Sequence, residues 1–252
     1  MKIDSKRLGT PEHTPVGKQI LPLLLLLAVL IYLSIVNYLL FHAVAEVFSI
    51  AIAFGVFFIA WNTREYAETH YLLFLGIAYL FIGTVDVIHT LAYKGMGVFP
   101  AYGANLPTQL WIIARYMEAF SLLIFPFLLT RTINIRAVIL IYAVVTAVLV
   151  STAFFGFFPD CYRVEEGLTI FKRISEYIIV ALLAVSCYIL QRYRNRFPSD
   201  IFPWLLFAYI STIFSEIAFT FYVNVYGISN IIGHYFKVLS FYGIYQAIIV
   251  GN

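Results

Sequence analysis

Apolar residues in this sequence fall into long runs, and polar residues collect towards the ends of those runs. A helix needs roughly 20 apolar residues to cross ~30 Å of hydrocarbon, and only helices and closed barrels satisfy their backbone groups there. Eight runs fit a spanning helix: 20–36, 41–61, 71–91, 108–129, 137–155, 173–190, 202–223 and 228–249. The pattern therefore predicts an all-α integral membrane protein, a bundle of eight transmembrane helices.

The first run differs from a cleaved signal peptide. It stays apolar as far as Val36 and contains no cleavage site of small residues, so we predict a retained helix. This divides the chain into an N-terminal tail, residues 1–19, and an eight-helix membrane domain, residues 20–252.

Composition agrees with a membrane location. The 252 residues are 62% hydrophobic and only 12% charged, whereas soluble domains are roughly 25% charged. This excludes an ordinary soluble domain. The net charge of +3 gives no basis for nucleic-acid binding, and no P-loop, dinucleotide-binding glycine pattern or serine-nucleophile motif indicates a familiar enzyme.

Basic residues are unevenly divided between alternate loops, which predicts the orientation. Four lie on one side: Lys94, Arg163, Lys172 and Arg173. Ten lie on the other: Lys2, Lys6, Arg7, Lys18, Arg64, Arg131, Arg136, Arg192, Arg194 and Arg196. Because cytoplasmic loops carry the excess, both termini are predicted to be cytoplasmic, in a multi-pass protein of the inner (cytoplasmic) membrane. The remaining two of the sixteen, Arg115 and Lys237, lie within spans.

Ionisable residues inside the spans are the most informative feature. Each charge at mid-helix costs ~2.5–3.5 kcal/mol on a translocon scale unless a partner, water or ligand offsets it. Even-numbered spans carry theirs near the start and odd-numbered spans near the end, so all lie in the predicted outer half. They are His42, Glu46, Asp86, His89, Arg115, Glu118, Glu176, Glu216, His234 and Lys237.

Spacings of three or four residues place several of these side chains on shared helical faces. We expect these faces to line a polar cavity that opens outward and binds a small ligand, cofactor or ion. Ordinary interhelical pairing is the alternative, and Arg115 with Glu118 fits it well. The predicted ligand-binding residues are His42, Glu46, Asp86, His89, Arg115, Glu118, Glu216, His234 and Lys237.

Histidines within these spans are candidate metal ligands. His42, His89 and His234 could supply imidazoles to a metal, with Asp86 orienting His89, or two of them could hold a haem. No HExxH motif is present, so the sequence leaves a metal ion, a haem and a metal-free site open.

Four polar blocks resemble a known family. They are DVIHTLAYKGMGVF at 86–99, NLPTQLWIIARYME at 105–118, FHAVAEVFS at 41–49 and HYFK at 234–237. Together they are similar to the third type of bacterial and archaeal membrane-associated sensor domain, over nearly the whole chain from about Ile20.

That resemblance implies a sensory input module of a signal-transduction protein rather than an enzyme. Such modules precede PAS, histidine-kinase or diguanylate-cyclase regions. The sequence ends at Asn252, directly after the eighth predicted span, so we expect the output domain in a longer protein or a separate partner. A second copy of the chain is a further candidate partner. A secondary transporter and an intramembrane metal-dependent enzyme are the alternative functions, although inverted repeats are not evident.

Overall fold

The computed structural model describes residues 16–65, 70–221 and 227–250, with side chains from residue 20 onward. Short 3₁₀ turns lie in three connections, and a two-stranded antiparallel hairpin, β1 (Tyr162–Arg163) and β2 (Gly167–Leu168), lies before the sixth helix. The chain's last described segment, Tyr245–Val250, is a π-helix. The α-helices are α1 (Val16–Val36), α2 (Tyr38–Thr63), α3 (Tyr71–Ala92), α4 (Asn105–Ile124), α5 (Ile135–Phe154), α6 (Ile170–Arg192), α7 (Ile201–Thr220) and α8 (Ile228–Ile244).

The prediction of an all-α fold is confirmed, apart from the short hairpin. Six helices, α2 to α7, are long and apolar enough to cross a membrane. The described apolar part of α1, Ile20–Val36, is shorter, and α8 has 17 residues before the π-helix. Eight spans and cytoplasmic termini stay predictions. The tail at 1–15, the predicted end of the seventh span at Val223, and Asn252 lie outside the described residues.

Helix α6 begins three residues before its predicted start at Arg173. Thr169 has an extended backbone and its side chain accepts a hydrogen bond from the amide of Lys172 at 3.2 Å. A side-chain oxygen at this position satisfies an amide that has no partner within the helix, so it favours a helix start there. Lys172 therefore lies in the first turn of α6.

Six helices pack side by side in a closed ring, in the order α2, α3, α4, α6, α7, α8 and back to α2. Helix α1 packs outside the ring against α2 and α8, and α5 packs outside against α3 and α4. Only Thr146 and Ala153 of α5 are buried. Every buried charged side chain among the described residues belongs to a ring helix. The ring interior is thus the polar part of the bundle.

The side chain of Asn105 on α4 holds the connection between α5 and α6 in place through hydrogen bonds. The Asn105 amide donates to Asp160 at 2.9 Å and accepts from the backbone amides of Cys161 and Tyr162. The Cys161 thiol is fully buried, and burial raises its pKa to about 12. We use outer half for the half of the bundle that holds this connection and the α3–α4 connection, following the predicted orientation.

Candidate functional site

A chain of buried ion pairs joins α2, α8, α3 and α4 inside the ring. Lys237 donates to Glu46 Oε2 at 2.6 Å and lies 3.2 Å from Asp86 Oδ2. Arg115 Nη2 donates to both oxygens of Asp86, at 3.0 and 2.8 Å, and its Nη1 pairs with Glu118. All five side chains are buried, so each charge depends on its partners in place of water. We call these five residues the ion-pair chain.

Three histidines lie beside the ion-pair chain, and two of them have a fixed tautomer. His89 Nδ1 lies 2.7 Å from the carbonyl oxygen of Pro107, and His234 Nδ1 lies 2.8 Å from that of Asn230. A carbonyl oxygen only accepts, so each Nδ1 carries the hydrogen and donates. In the neutral ring Nε2 then presents a lone pair, and neither Nε2 has a hydrogen-bond partner among the described residues.

The third histidine, His42, lies between the other two. Its ring centroid is 4.8 Å from that of His234 and 5.5 Å from that of His89. It stacks on the Tyr93 ring at 3.6 Å. Both of its ring nitrogens lack a hydrogen-bond partner within the described part of the chain, although the side chain is fully buried. Burying a nitrogen without a hydrogen bond costs roughly 1–3 kcal/mol of folding free energy, and a ligand bound to these nitrogens would offset that cost.

These imidazoles line a small cavity in the outer half. The centre of a water molecule can occupy about 30 Å³ of it, which is room for about two waters or one metal ion. Its wall also contains residues from the α3–α4 connection and from α4, α6, α7 and α8: Tyr93, Lys94, Ala104, Pro107, Thr108, Trp111, Lys172, Phe219 and Asn230.

Trp111 on α4 separates the histidines from the cations. The centroid of its ring lies 4.8 Å from Arg115 Cζ and 4.8 Å from Lys237 Nζ. On the other side it lies 5.6 Å from the His89 ring and 6.3 Å from the His234 ring. Cation–π attraction stabilises both cations here, since the indole face is negative.

A second charged cluster lies on α6 and α7. Lys172 Nζ pairs with Glu176 and donates to the carbonyl oxygen of Phe219 at 3.2 Å. The Glu216 carboxylate lies beside that of Glu176, and neither of its oxygens has a hydrogen-bond donor among the described residues. Two carboxylates thus compete for one lysine. We call these three charged residues the α6–α7 cluster.

A family model described as a membrane-associated sensor domain matches residues 33–252, which contain all the residues above. The chain belongs to this family, MASE3. Comparison with curated proteins found no match, and comparison with solved structures found none either. The match confirms the predicted resemblance and identifies a membrane sensor domain of signalling proteins. Its extent covers the six ring helices of this MASE3 domain and leaves out most of α1.

The MASE3 ring brings all the predicted ligand-binding residues to one region. Their partners were not predictable from spacing within a helix, since most of the contacts join different helices. Five form the ion-pair chain, three histidines line the cavity, and Glu216 lies in the α6–α7 cluster, close enough for an electrostatic interaction with Arg115.

Two details of the sequence interpretation are wrong. Lys172 is not a loop residue, because Thr169 starts α6 early and the lysine is buried beside Glu176. Asp86 does not orient His89, because its oxygens accept from cations while His89 donates to the Pro107 carbonyl.

Other site residues do not stand out in the sequence, because their types are common in membrane proteins. Trp111 and Tyr93 are two of many aromatic residues in this chain, and nothing in their spacing distinguishes them. Tyr79 donates its hydroxyl to Glu118 at 3.2 Å from within α3. A signal did exist for Lys172, which precedes Glu176 by four residues, the spacing of His42 and Glu46.

One group of donors could hold a metal ion. Single donor atoms of His42, Glu46 and His234 all lie within 4.8 Å of one another. Glu46 thus takes the place that the sequence interpretation gave to His89, which lines the same cavity but lies outside this group. The cavity does not suit a haem, since ligand pockets for molecules of that size measure roughly 300–1,000 Å³.

Proposed function

We propose that this MASE3 domain is the sensory input module of a signal-transduction protein and binds a small ligand or ion in the cavity lined by the three histidines. The supporting observation is the set of buried imidazole nitrogens that have no hydrogen-bond partner in the described part of the chain, on three histidines that line one cavity. Helix packing alone leaves their lost hydration uncompensated, whereas a ligand that binds them compensates it. The nine predicted residues therefore form a binding site and its supporting ion pairs.

Helix α8 is the proposed route of the signal. His234 lines the cavity and Lys237 belongs to the ion-pair chain, and both lie on the helix that leads to the C-terminal end of the chain. A ligand shifts a conformational equilibrium only through different affinities for the two states, and ~1–3 kcal/mol of coupling is usual. We infer a cytoplasmic output region, of the PAS, kinase or cyclase kind, in a multi-pass protein of the inner membrane.

Family membership favours this function over the two alternatives, a secondary transporter and an intramembrane metal-dependent enzyme. A sensor also fits the site, because the ion-pair chain locks four ring helices together at one level. Such interlocked contacts suit a small change between two packings rather than the large opening that alternating access requires.

A grafted output tests the proposal. A kinase or cyclase domain is fused after Asn252, and its activity is followed against pH, metal ions and redox mediators. We expect the parent fusion to respond to at least one of these inputs. His234→Ala should abolish the response, and Glu118→Gln should change the basal output because it removes a partner of Arg115.

Ile232→Ala is the matched control, since Ile232 lies two positions from His234 and is 43% exposed, facing away from the ring interior. It should respond like the parent at equal expression. Equal and unresponsive output from the parent, His234→Ala and Glu118→Gln would leave these polar residues as structural contacts and contradict the sensor proposal.

A further inference from the structure

Two donor atoms, one on the cavity wall at His234 and one behind it at Glu46, have the spacing of ligands on one metal ion. His234 Nε2 lies 3.3 Å from Glu46 Oε1, an ion-pair distance, and neither atom has another partner among the described residues. Two bonds of ~2.0–2.1 Å at a tetrahedral angle place their donor atoms about 3.3 Å apart. The distance between this nitrogen and this oxygen therefore matches the edge of a tetrahedral coordination shell.

The third donor belongs to His42. Its ring nitrogen lies within 4.8 Å of the other two donor atoms, so reaching the tetrahedral edge needs a shift of at most about 1.5 Å. Side-chain rotation supplies such a shift without moving a helix. His42 and Glu46 are one helical turn apart on α2, so both side chains lie on the face of α2 that points towards His234.

The contacts behind these donors are those of a metal site. A metal-binding histidine almost always donates its other ring nitrogen to a carbonyl or carboxylate, and a metal-binding carboxylate is itself hydrogen-bonded. His234 Nδ1 donates to the Asn230 carbonyl, and Glu46 Oε2 accepts from Lys237 while its Oε1 stays available. The donors of His234 and Glu46 are thus held by a hydrogen bond at the far side, whereas His42 has none among the described residues.

Donor chemistry selects the class of ion. Two imidazoles with one carboxylate are typical of Zn²⁺ and Fe²⁺ sites, which keep an open coordination position. Ca²⁺ and Mg²⁺ prefer six or more oxygen ligands, and this group offers one free carboxylate oxygen. Cu⁺ prefers sulfur, and the described cavity wall contains no thiol or thioether.

Charge balance agrees with a divalent cation. The buried charged side chains of the ring, among the described residues, are five carboxylates and three cations: Glu46, Asp86, Glu118, Glu176 and Glu216 against Arg115, Lys172 and Lys237. With neutral histidines their formal sum is −2, of which −1 belongs to the ion-pair chain and −1 to the α6–α7 cluster, so a cation bound beside Glu46 meets net negative charge.

We infer that the cavity binds one divalent d-block cation of the Zn²⁺ and Fe²⁺ class through His42, Glu46 and His234. This inference rests on the proposed function, of which it names the ligand. The ion joins α2 to α8 by direct bonds, because two donors lie on α2 and one on α8. His89 lies outside the donor group and lines the same cavity.

Metal binding to the purified chain tests the inference. The full chain, without a histidine tag, is stripped with a chelator in detergent and dialysed against Zn²⁺, with bound metal measured by mass spectrometry. We expect one equivalent per chain in the parent and in His70→Ala, the control, whose histidine lies outside this region at the start of α3. His42→Ala and His234→Ala should bind at least a hundredfold more weakly.

Co²⁺ supplies a second readout that a purely structural role does not change. Bound in place of Zn²⁺, it should show the visible d–d absorption of a four- or five-coordinate site in the parent, and lose it in Glu46→Gln. Helix content and elution volume confirm that each variant folds. If an alanine variant aggregates, His42→Gln and His234→Gln replace it in the same comparison.

The two proposals fail separately. Absence of stoichiometric metal in the parent, or equal binding by the parent, His42→Ala and His234→Ala, overturns the metal inference. A grafted output that still responds to pH or redox mediators then leaves the sensor proposal intact. If the chain binds stoichiometric metal at this site but the grafted output responds to no input, the metal inference stands and the sensor proposal fails.

Discussion

Buried charge in this protein is unequally compensated at the level of single residues. In the α6–α7 cluster Glu176 pairs with Lys172, while Glu216 has no hydrogen-bond donor among the described residues. Removing one partner of a buried pair costs about 3–5 kcal/mol, because the remaining charge is left uncompensated. The three side chains should therefore respond very differently to neutral substitutions of similar shape.

We expect Glu216→Gln to change the free energy of unfolding by less than about 1 kcal/mol, because it removes a charge that lacks a paired cation. Lys172→Met should lower the free energy of unfolding by about 3–5 kcal/mol, since two carboxylates then lie together without a cation. Thermal or denaturant unfolding in detergent measures both. Equal losses from the two substitutions would show that Glu216 is a full partner of Lys172.

Arg115 should not tolerate lysine. Its guanidinium contacts Asp86 and Glu118 at once and lies over the Trp111 ring, and a single ammonium group cannot reproduce this fork. Loss of one charge-assisted hydrogen bond predicts that Arg115→Lys lowers the free energy of unfolding by about 1.5–3 kcal/mol.

Arg192→Lys is the matched control for this substitution. Arg192 is exposed and contacts the Tyr188 hydroxyl, so its replacement should cost less than about 1 kcal/mol. Similar melting curves for the two lysine variants would contradict a special role for the guanidinium of Arg115.

The residues of the site were largely predictable from the sequence. Their partners were not, because those partners lie on other helices, far away along the chain. Apolar surroundings make Glu46 and Asp86 conspicuous in the sequence, whatever the fold. The sequence does not show that both form ion pairs with Lys237, because those contacts depend on which helices are neighbours in the ring. Nor does it show that the Pro107 and Asn230 carbonyls fix the histidine tautomers.

Among the helices, α2 and α3 approach each other closely through small residues. A Cβ atom at Gly76 would lie 2.8 Å from Ala60 Cβ and 3.2 Å from the Phe57 Cα. Backbone atoms cannot move aside without displacing the helix. Gly55, also on α2, meets only the Ile249 Cδ1 at 3.2 Å, which is the flexible end of a side chain.

Gly76→Ala should therefore destabilise the bundle by about 1–3 kcal/mol, the usual range for overpacking. Gly55→Ala should be neutral or stabilising by up to about 1 kcal/mol, because alanine favours the helix. Melting temperatures in one detergent compare the two variants directly. A larger loss at Gly55 than at Gly76 would contradict the close approach of α2 and α3.

Helix existence was predictable from the apolar runs, whereas the arrangement of helices was not. The mean hydropathy of α5 is as high as that of any ring helix, yet α5 packs outside the ring. Helix α8 is shorter and more polar, and it closes the ring between α7 and α2. Hydropathy measures transfer into lipid and carries no information about which neighbour a helix contacts.

For the molecule as a whole, the orientation in the membrane stays a prediction, and cysteine labelling tests it. Val164 in the hairpin between α5 and α6 is 92% exposed, and Asn195 between α6 and α7 is exposed too. In intact cells a membrane-impermeant maleimide should label Val164→Cys. It should label Asn195→Cys only after the membrane is permeabilised, since both termini and the α6–α7 connection are predicted to be cytoplasmic.

The native Cys161 should not interfere with this measurement. Burial raises the pKa of this thiol to about 12, so it is protonated at pH 8, and burial also blocks the reagent. The parent chain should therefore stay unlabelled on the outer side until it is denatured. Labelling of Asn195→Cys without permeabilisation would reverse the predicted orientation.

The contacts of Lys237 also constrain how the chain is made. Helices enter the membrane in the order of synthesis, and a lone lysine at mid-helix opposes insertion by ~2.5–3.5 kcal/mol. Its partner Glu46 lies 191 residues earlier, so this carboxylate reaches the membrane long before the ammonium group that neutralises it. Until α8 leaves the ribosome, the nascent bundle holds an uncompensated acid and is exposed to insertases and quality-control proteases. Synthesis of α8 supplies the ammonium group that neutralises this acid.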